Sequence, residues 1–140
     1  MPRRLTWAAL KRNHSTVATY LEGSRTGLPR PVASRAALPI IPLAAHLNKA
    51  TDENVRRDLA SLPVLVEHVD ELIAEGTIGG PERNVADYQI ATSVSLLLTL
   101  DDVRPYVEGH PAEQHARAIV ERQPGRLPPA LPTEWLPARG

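Results

Sequence analysis

The sequence predicts an all-α protein, a bundle of helices. Apolar residues recur at steps of three and four along most of the 140-residue chain, and no alternating run indicates a strand. Prolines and glycines punctuate these periodic segments, as expected at helix ends. A chain of this length can bury a core without cross-links. It contains no cysteine, which excludes a disulfide scaffold, a thiolate zinc site and a cysteine nucleophile.

The first periodic segment predicts one helix that Gly23 ends. Its apolar stripe consists of Trp7, Leu10, His14, Val17 and Leu21. Residues 24–31 read as a linker. Residues 32–48 are rich in Ala, Leu and Ile, but Pro39 and Pro42 each remove a backbone donor. We therefore expect the second helical segment to be kinked or split.

The clearest amphipathic helix begins at Thr51. This residue suits an N-cap, and Asp52 and Glu53 place acidic groups near the positive end of the helix dipole. The apolar stripe that follows consists of Val55, Leu59, Leu62, Val66, Val69 and Ile73. Pro63 is expected to bend this helix. Gly76 is expected to end it.

The next helix starts at the pair Asn84 and Asp87, after the turn-rich residues 77–83. An N-cap side chain accepts a hydrogen bond from the N3 backbone, while the N3 side chain accepts one from the N-cap backbone. The spacing of Asn84 and Asp87 fits this capping box. No second polar partner suited to catalysis follows closely, since Tyr88 and Gln89 extend the helix. We therefore assign the pair to folding, and the apolar helix behind it to the core.

The C-terminal part combines a turn region, a short helix and a proline-rich tail. The turn region centres on Pro105 and Gly109, and the helix spans about residues 111–122. Residues 124–140 contain five of the fourteen prolines, so an extended or polyproline-like conformation is expected. The sequence thus divides into a helical domain, 1–123, and a tail, 124–140. The apolar pair Trp135 and Leu136 would anchor this tail on the bundle; the alternative is a disordered tail.

The charge distribution is uneven although the net charge is zero. Residues 1–50 contain eight Lys or Arg and one acid, whereas residues 51–113 contain four and thirteen. We expect the basic part to face the acidic part or an acidic neighbour. Nucleic acid is the less favoured partner, because no RNA-binding aromatic motif or zinc-finger spacing accompanies the basic residues.

Neither membrane insertion nor metal binding is expected. The longest apolar stretch, AALPIIPLAAHL, contains two prolines and falls short of the about 20 residues that a spanning helix needs. The opening apolar run, LTWAAL, is too short for the apolar region expected of a signal segment, so we expect a cytoplasmic protein. The histidines show no metal-ligand spacing: His110 and His115, for example, are five residues apart.

The ordered features resemble the C-terminal helical domain of cytosolic-type glutathione S-transferases. In that family a long helix ends at a glycine-bearing loop, and a capping box with Asp at its fourth position opens the central helix. The long helix here is VRRDLASLPVLVEHVDELIAEG, and the capping box begins NVADYQI. A short helix after a proline-containing turn follows in both, and the resemblance extends over about residues 4–136. Asn84 stands where the family has Ser or Thr, and Arg83 stands where it has an aliphatic residue, so Tyr88 lacks its expected partner.

The resemblance implies that the thiol-binding half is missing. In the family, that site lies in an N-terminal thioredoxin-like domain with a catalytic Tyr, Ser or Cys, and this chain begins directly with helices. Tyr20, Tyr88 and Tyr106 lie within or after helices, so no catalytic residue is assigned. The chain itself is expected to bind no cofactor. Glutathione or a related thiol would be the cofactor if a thioredoxin-like domain is paired with it.

The resemblance also implies where a second substrate would lie. The family's C-terminal domain supplies the apolar wall for the electrophile, largely from its first helices. By position this wall would be Trp7, Leu10 and His14, with Lys11 or Arg12 available for an anionic group. The structural alternative places Trp7 in the core and makes His14 a partly buried structural residue.

Two functions follow from these observations. The first is a glutathione S-transferase-like helical domain, truncated or kept without its partner, that forms the electrophile wall and is inactive alone. The second is a non-catalytic helical module for protein–protein interaction. Whether the chain is an enzyme stays open at this point. Expected partners are a thioredoxin-like domain, a second copy of the chain through an exposed Trp7 stripe, or an apolar small molecule.

Overall fold

The structure is a computed structural model that describes residues 1–20, 30–120 and 125–138. Within these ranges the protein is all-α, as predicted, and contains no strand. The described helices are α1 (Pro2–Arg12), α2 (Val17–Tyr20), α3 (Arg30–Ala37), α4 (Ile40–Leu47), α5 (Asp52–Ala74), α6 (Val85–Leu97) and α7 (Pro111–Ile119). Three short 3₁₀ turns lie at His14–Thr16, Arg104–Tyr106 and Thr133–Trp135.

The prediction of one continuous N-terminal helix is wrong at Asn13. This residue has φ −132° and ψ 84°, outside the helical region, and separates α1 from a 3₁₀ turn. The Thr16 hydroxyl donates to the Asn13 carbonyl at 2.7 Å. Such local bonds from Ser, Thr and Asn compete with the helical ladder. The predicted end at Gly23 and most of the predicted linker lie outside the described residues, but the linker's last two residues, 30–31, belong to α3.

The predicted split of the second segment is confirmed, because α3 ends at Ala37 and α4 begins at Ile40. Pro39 occupies the N-cap of α4. Pro42 is the third residue of α4, where the missing N–H would have had no helical acceptor. Both prolines are thus accommodated at a helix start.

The long amphipathic helix α5 starts as predicted. The Thr51 hydroxyl accepts a hydrogen bond from the Asn54 N–H at 3.3 Å. The helix continues through Pro63 for 23 residues and ends before Gly76, which has φ +74°. A positive φ at this position is readily adopted by glycine.

The core lies where α1, α5, α6 and α7 meet. α7 packs mainly against α6 and also against α5, while α1 packs against α4, α5 and α6. The largest fully buried apolar side chains of the core are Leu5, Ile41, Val55, Leu59, Leu62, Ile78, Leu100, Val103, Val107 and Leu127. Leu127 belongs to the proline-rich tail, so the tail contributes to the same core as the helices.

The described part of the tail, residues 125–138, is packed on the bundle. Leu127 pairs with Leu100 in an isolated β-bridge. The Asp102 carboxylate accepts hydrogen bonds from the N–H groups of Ala130 and Leu131 at 2.7 and 2.9 Å. The guanidinium carbons of two arginines, one on α1 and one on α5, lie 4.6 and 4.5 Å from the ring centroid of Trp135. The tail is therefore anchored along its length.

The basic N-terminal part faces the acidic part, as expected from the charge distribution. Arg4 of α1 donates from Nη1 to both carboxylate oxygens of Asp58 at 2.8 Å. Arg12 pairs with Asp52 at 2.6 Å. Both ion pairs join α1 to α5. Across residues 1–20, 30–120 and 125–138, none of the helices combines the length and apolar composition needed to cross a bilayer.

Candidate functional site

The exposed side of α6 is a helix surface without charged side chains. From Tyr88 to Leu100 the sequence contains no charged residue. The buried side of α6 presents Ala91, Val94, Ser95 and Leu97 to the core. The solvent side presents Tyr88, Gln89, Thr92 and Ser93, with the half-buried Leu96 at its edge. We call these five residues the α6 face.

An uncharged exposed helix face is unusual. The polar side of a helix on a protein surface normally carries charged residues, and α5 follows this rule. Its exposed residues include Glu53, Arg56, Arg57, Glu67 and Glu71. Charged residues are depleted where a surface is covered by a partner. The α6 face is therefore a candidate contact surface.

Two grooves flank the α6 face. The first, about 640 Å³, lies between α6 and the start of α1 and is lined on the α1 side by Arg3 and Arg4. The second, about 340 Å³, lies between α6 and α5, and its lining includes Leu65, Val69 and Ile90. Gln89 and Ser93 line both. The α6 face is thus a ridge with a basic groove on one side and an apolar groove on the other.

Two arginines of α1 line the basic groove, and hydrogen bonds hold the side chain of one of them, Arg4. The Arg4 side chain is held by its two bonds to Asp58 and by a bond from Nε to the Asn48 carbonyl at 3.2 Å. Arg3 is exposed and lines the groove. The first turn of α1 contains no acidic residue, so the positive end of the helix dipole adds to the charge of the two arginines.

The four residues predicted to form a substrate wall do not share one surface. Trp7 is partly buried and lines a cavity of about 340 Å³ that continues the basic groove through Arg3, Asn48 and Leu96. Leu10 is 2 % exposed and lies in the core, so its assignment to the wall is corrected. Lys11 is exposed one helical turn beyond Trp7.

The assignment of His14 to that stripe is also corrected, although its side chain is exposed. The break at Asn13 carries His14 into the 3₁₀ turn beyond α1, so it does not continue the helical stripe of Trp7. The cavity beside Trp7 is lined by Arg3 and by Leu96 of the α6 face, and not by Leu10 or His14. Sequence reasoning missed both Arg3 and the α6 face. The uncharged run from Tyr88 to Leu100 was the available signal.

The capping box has the geometry that its spacing predicted. The Asn84 side-chain oxygen accepts from the Ala86 and Asp87 N–H groups at 2.8 and 3.2 Å. Asp87 Oδ2 accepts from the Asn84 N–H, and Oδ1 accepts from the Gly79 N–H, both at 2.7 Å. Asp87 therefore joins the loop before α6 to the start of the helix.

The surroundings of Asp87 favour its charged form. The Gly79 and Asn84 N–H groups lower the pKa of Asp87 most, while burial acts in the opposite direction. His115 and Arg83 add smaller electrostatic effects that also lower this pKa. Both carboxylate oxygens are occupied by backbone donors, which fits a structural role.

Neither a metal-ligand cluster among the described residues nor a similar protein adds to the description of the site. Among residues 1–20, 30–120 and 125–138, no group of three or more His, Cys, Asp or Glu side chains is placed to hold a metal ion. No protein-family model, characterised protein or solved structure matches the chain. The α6 face and its grooves are therefore the candidate site.

Proposed function

We propose that this chain is a glutathione S-transferase-like helical domain whose α6 face and flanking grooves form the wall for an apolar electrophile. A thioredoxin-like domain carrying the thiol would dock over the same side. The observation that carries this proposal is the uncharged exposed face of α6. No charged side chain on this face would oppose the docking of a partner.

The chemistry of the two grooves suits this division of work. The apolar groove beside Leu65 and Val69 offers hydrocarbon surface to an electrophile, because burial of apolar area is favourable. The basic groove beside Arg3 and Trp7 offers a cation and an aromatic ring. An electrophile with an anionic substituent would be oriented between them.

The order of elements supports the family assignment independently of the grooves. A long helix, α5, ends before a glycine-bearing loop, and the capping box of Asn84 and Asp87 opens α6. A 3₁₀ turn that contains Pro105 leads to the short helix α7, which packs on α6. This is the arrangement that the resemblance to the C-terminal domain of glutathione S-transferases implies.

The proposed role can be tested with a charge placed on the α6 face. An environment-sensitive apolar dye should bind the full chain. Ser93 lines both grooves, so Ser93→Arg would place a charge beside them and should weaken binding at least about tenfold. Ser61 is an exposed serine on α5, so Ser61→Arg is the matched control and should leave binding unchanged. Equal binding by both variants would show that the grooves are not the apolar site.

The second candidate function is a non-catalytic interaction module that uses the same face. The exposed Tyr88 and the absence of charge on the α6 face favour it, since interface cores are enriched in aromatic residues and depleted of charged ones. Under this function Ser93→Arg would abolish binding of a protein partner, and the wild-type chain would bind no apolar dye. The dye experiment thus separates the two functions.

A further inference from the structure

The outer side of α4 carries a row of exposed aliphatic side chains. Ile40, Leu43 and Leu47 are 55, 59 and 71 % exposed. Residues at positions i, i+3 and i+7 lie on one side of a helix. Ile41 and Ala45, on the other side of α4, are buried in the core. We call Ile40, Leu43 and Leu47 the α4 row.

The α4 row makes this helix apolar on two sides. A helix on a protein surface normally has polar residues on its outer side, and a helix that is apolar all round is normally covered. The exposed Leu38 and Pro42 extend the row within the same short segment. Single exposed apolar residues need no explanation, but a contiguous exposed apolar patch marks a surface that contacts a protein, a ligand or a membrane.

The charged residues around the α4 row are basic. Residues 23–51 contain four Lys or Arg and no Asp or Glu. Arg35, in the last turn of α3, and Lys49, two residues after α4, are both exposed. Helix α1, which packs against α4, contains no acidic residue, and its arginines pair with Asp52 and Asp58 of α5. Charge complementarity therefore favours an anionic partner for this surface.

The start of α4 contains few hydrogen-bond donors. A helix start leaves four N–H groups without a helical acceptor. Pro39 is the N-cap of α4 and Pro42 is its third residue, and proline has no N–H group. Protein interfaces contain about one hydrogen bond per 100–200 Å², whereas the acyl chains of a bilayer offer no hydrogen-bond partner. The aliphatic row and the two prolines therefore suit hydrocarbon better than a protein surface.

We propose that the α4 row binds the surface of an anionic lipid bilayer. The helix lies in the plane of the interface, with Leu43 and Leu47 at the boundary between headgroups and acyl chains. Arg35 and Lys49 lie among the anionic headgroups. This contact requires no spanning helix, so it differs from the membrane insertion that the sequence argues against. No residue of the α4 row lines the grooves beside the α6 face, so the proposal is independent of the function proposed for that face.

Vesicle flotation with the full chain tests this proposal. Vesicles of phosphatidylcholine with about one quarter phosphatidylserine should bind the protein at least about tenfold more tightly than vesicles of phosphatidylcholine alone. Binding should weaken as salt is added, because salt screens the attraction between the basic side chains and the headgroups. Equal binding to both kinds of vesicle, or binding to neither, would overturn the proposal.

A double variant tests the aliphatic row itself. Leu43→Ala combined with Leu47→Ala should weaken binding to the anionic vesicles at least about tenfold, because less apolar area enters the interface. Both leucines are exposed, so the melting temperature should stay that of wild type. Val64 of α5 and Val85 of α6 are similarly exposed, and Val64→Ala combined with Val85→Ala is the matched control, which should bind like wild type.

Two outcomes of this comparison would overturn the proposal. Undiminished vesicle binding by the double leucine variant would place the membrane contact elsewhere. The competing occupant is a second copy of the chain. Analytical ultracentrifugation would then show self-association that Leu43→Ala combined with Leu47→Ala abolishes, and neither kind of vesicle would be bound.

Charge and depth are tested at separate positions. Lys49→Gln should weaken binding to the anionic vesicles about fivefold, whereas Arg57→Gln, at an exposed position of α5, should not. Because the chain contains no cysteine, His46→Cys provides a single thiol beside the α4 row for an environment-sensitive fluorophore. Its emission should shift to shorter wavelength on anionic vesicles, and that of the same label at Ser61→Cys on α5 should not. An equal shift at both positions, or none at His46→Cys, would overturn the proposal.

Discussion

Asn84 and Asp87 exchange hydrogen bonds across the first turn of α6. The Asn84 side chain accepts the Asp87 N–H at 3.2 Å, and Asp87 Oδ2 accepts the Asn84 N–H at 2.7 Å. Asp87 also reaches back eight residues to the Gly79 N–H. With the Ala86 N–H, which also donates to Asn84, four backbone donors thus depend on two short side chains, and a fully buried carboxylate is stabilised in return.

The first prediction concerns the stability that this pair provides. Asp87→Ala leaves the Gly79 and Asn84 N–H groups without their acceptor, and unpaired buried donors destabilise a fold. We expect the melting temperature to fall by at least about 4 °C, with ligand affinity of the folded protein nearly unchanged. Thermal denaturation followed by circular dichroism measures the first effect.

Asp52→Ala is the control for Asp87→Ala, since the Asp52 side chain is 61 % exposed and lies at a helix start as well. It should shift the melting temperature much less. A melt unchanged by Asp87→Ala, together with lost ligand binding, would instead place Asp87 in a binding site.

The second prediction is a loss of stability in acid. The folded state lowers the pKa of Asp87, chiefly through the Gly79 and Asn84 N–H groups. Its ionised form therefore adds stability at every pH above the ordinary carboxyl value of about 4. This contribution is lost as pH falls from about 4 through the lower folded pKa. The melting temperature of wild type should decline in this window.

Asp87→Asn isolates that contribution. It should melt at a lower temperature near neutral pH but decline less steeply below pH of about 4, because its side chain does not titrate. Glu113, whose pKa is lowered chiefly by the Gly109 N–H, and Asp52, whose pKa is lowered chiefly by Arg12, titrate in both proteins. Parallel melting curves across the acid range would refute the role assigned to Asp87.

Local signals predicted the helices best where side chains cap or interrupt the backbone. The start of α5 at Thr51, the split at Pro39 and the start of α6 at Asn84 each depend on one residue and its near neighbours. The break at Asn13 was missed because the helical stripe continues through it in sequence. Periodicity does not register hydrogen bonds such as that from Thr16 to Asn13.

The third prediction concerns the attachment of the tail. Trp135→Leu removes the ring that both Arg12 and Arg56 contact. Cation–π contacts near a surface contribute about 0.5–1 kcal/mol each, so we expect a loss of about 1–2 kcal/mol in the free energy of unfolding. Amide exchange should increase across residues 127–136 and stay unchanged in α6. Unaltered exchange in the tail would show that Leu127 and Leu131 hold it without Trp135.

The fourth prediction is that the basic N-terminal part does not bind nucleic acid. Arg4 and Arg12 are already paired with Asp58 and Asp52, which leaves less positive charge to meet phosphates. Fluorescence anisotropy with a labelled random duplex should show no binding near physiological salt. Tight binding that weakens steeply as salt is added, as counterion release requires, would contradict this.

The residues of the candidate site were harder to predict from the sequence than the helices were. Trp7 lines a cavity, but Leu10, three residues further along the same stripe, faces the core. Which side of α1 is covered depends on how α4, α5 and α6 pack around it, and helical spacing alone carries no such information. His115 and Asp87 are 28 residues apart, so their approach depends on the packing of α7 against α6.

The last prediction is that this chain alone has no thiol-transferase activity, although it binds apolar molecules. Conjugation requires a thiol that is held in place and whose pKa is lowered by a nearby donor. The grooves beside the α6 face offer Arg3 and Tyr88, but Tyr88 points from an exposed helix position and has no adjacent base that the groove lining supplies. Calorimetric titration with glutathione should therefore show no saturable binding. An assay with a generic electrophile should proceed at the uncatalysed rate. Turnover above that rate, abolished by Tyr88→Phe but not by the control Tyr106→Phe, would show that the helices contain a complete site of their own.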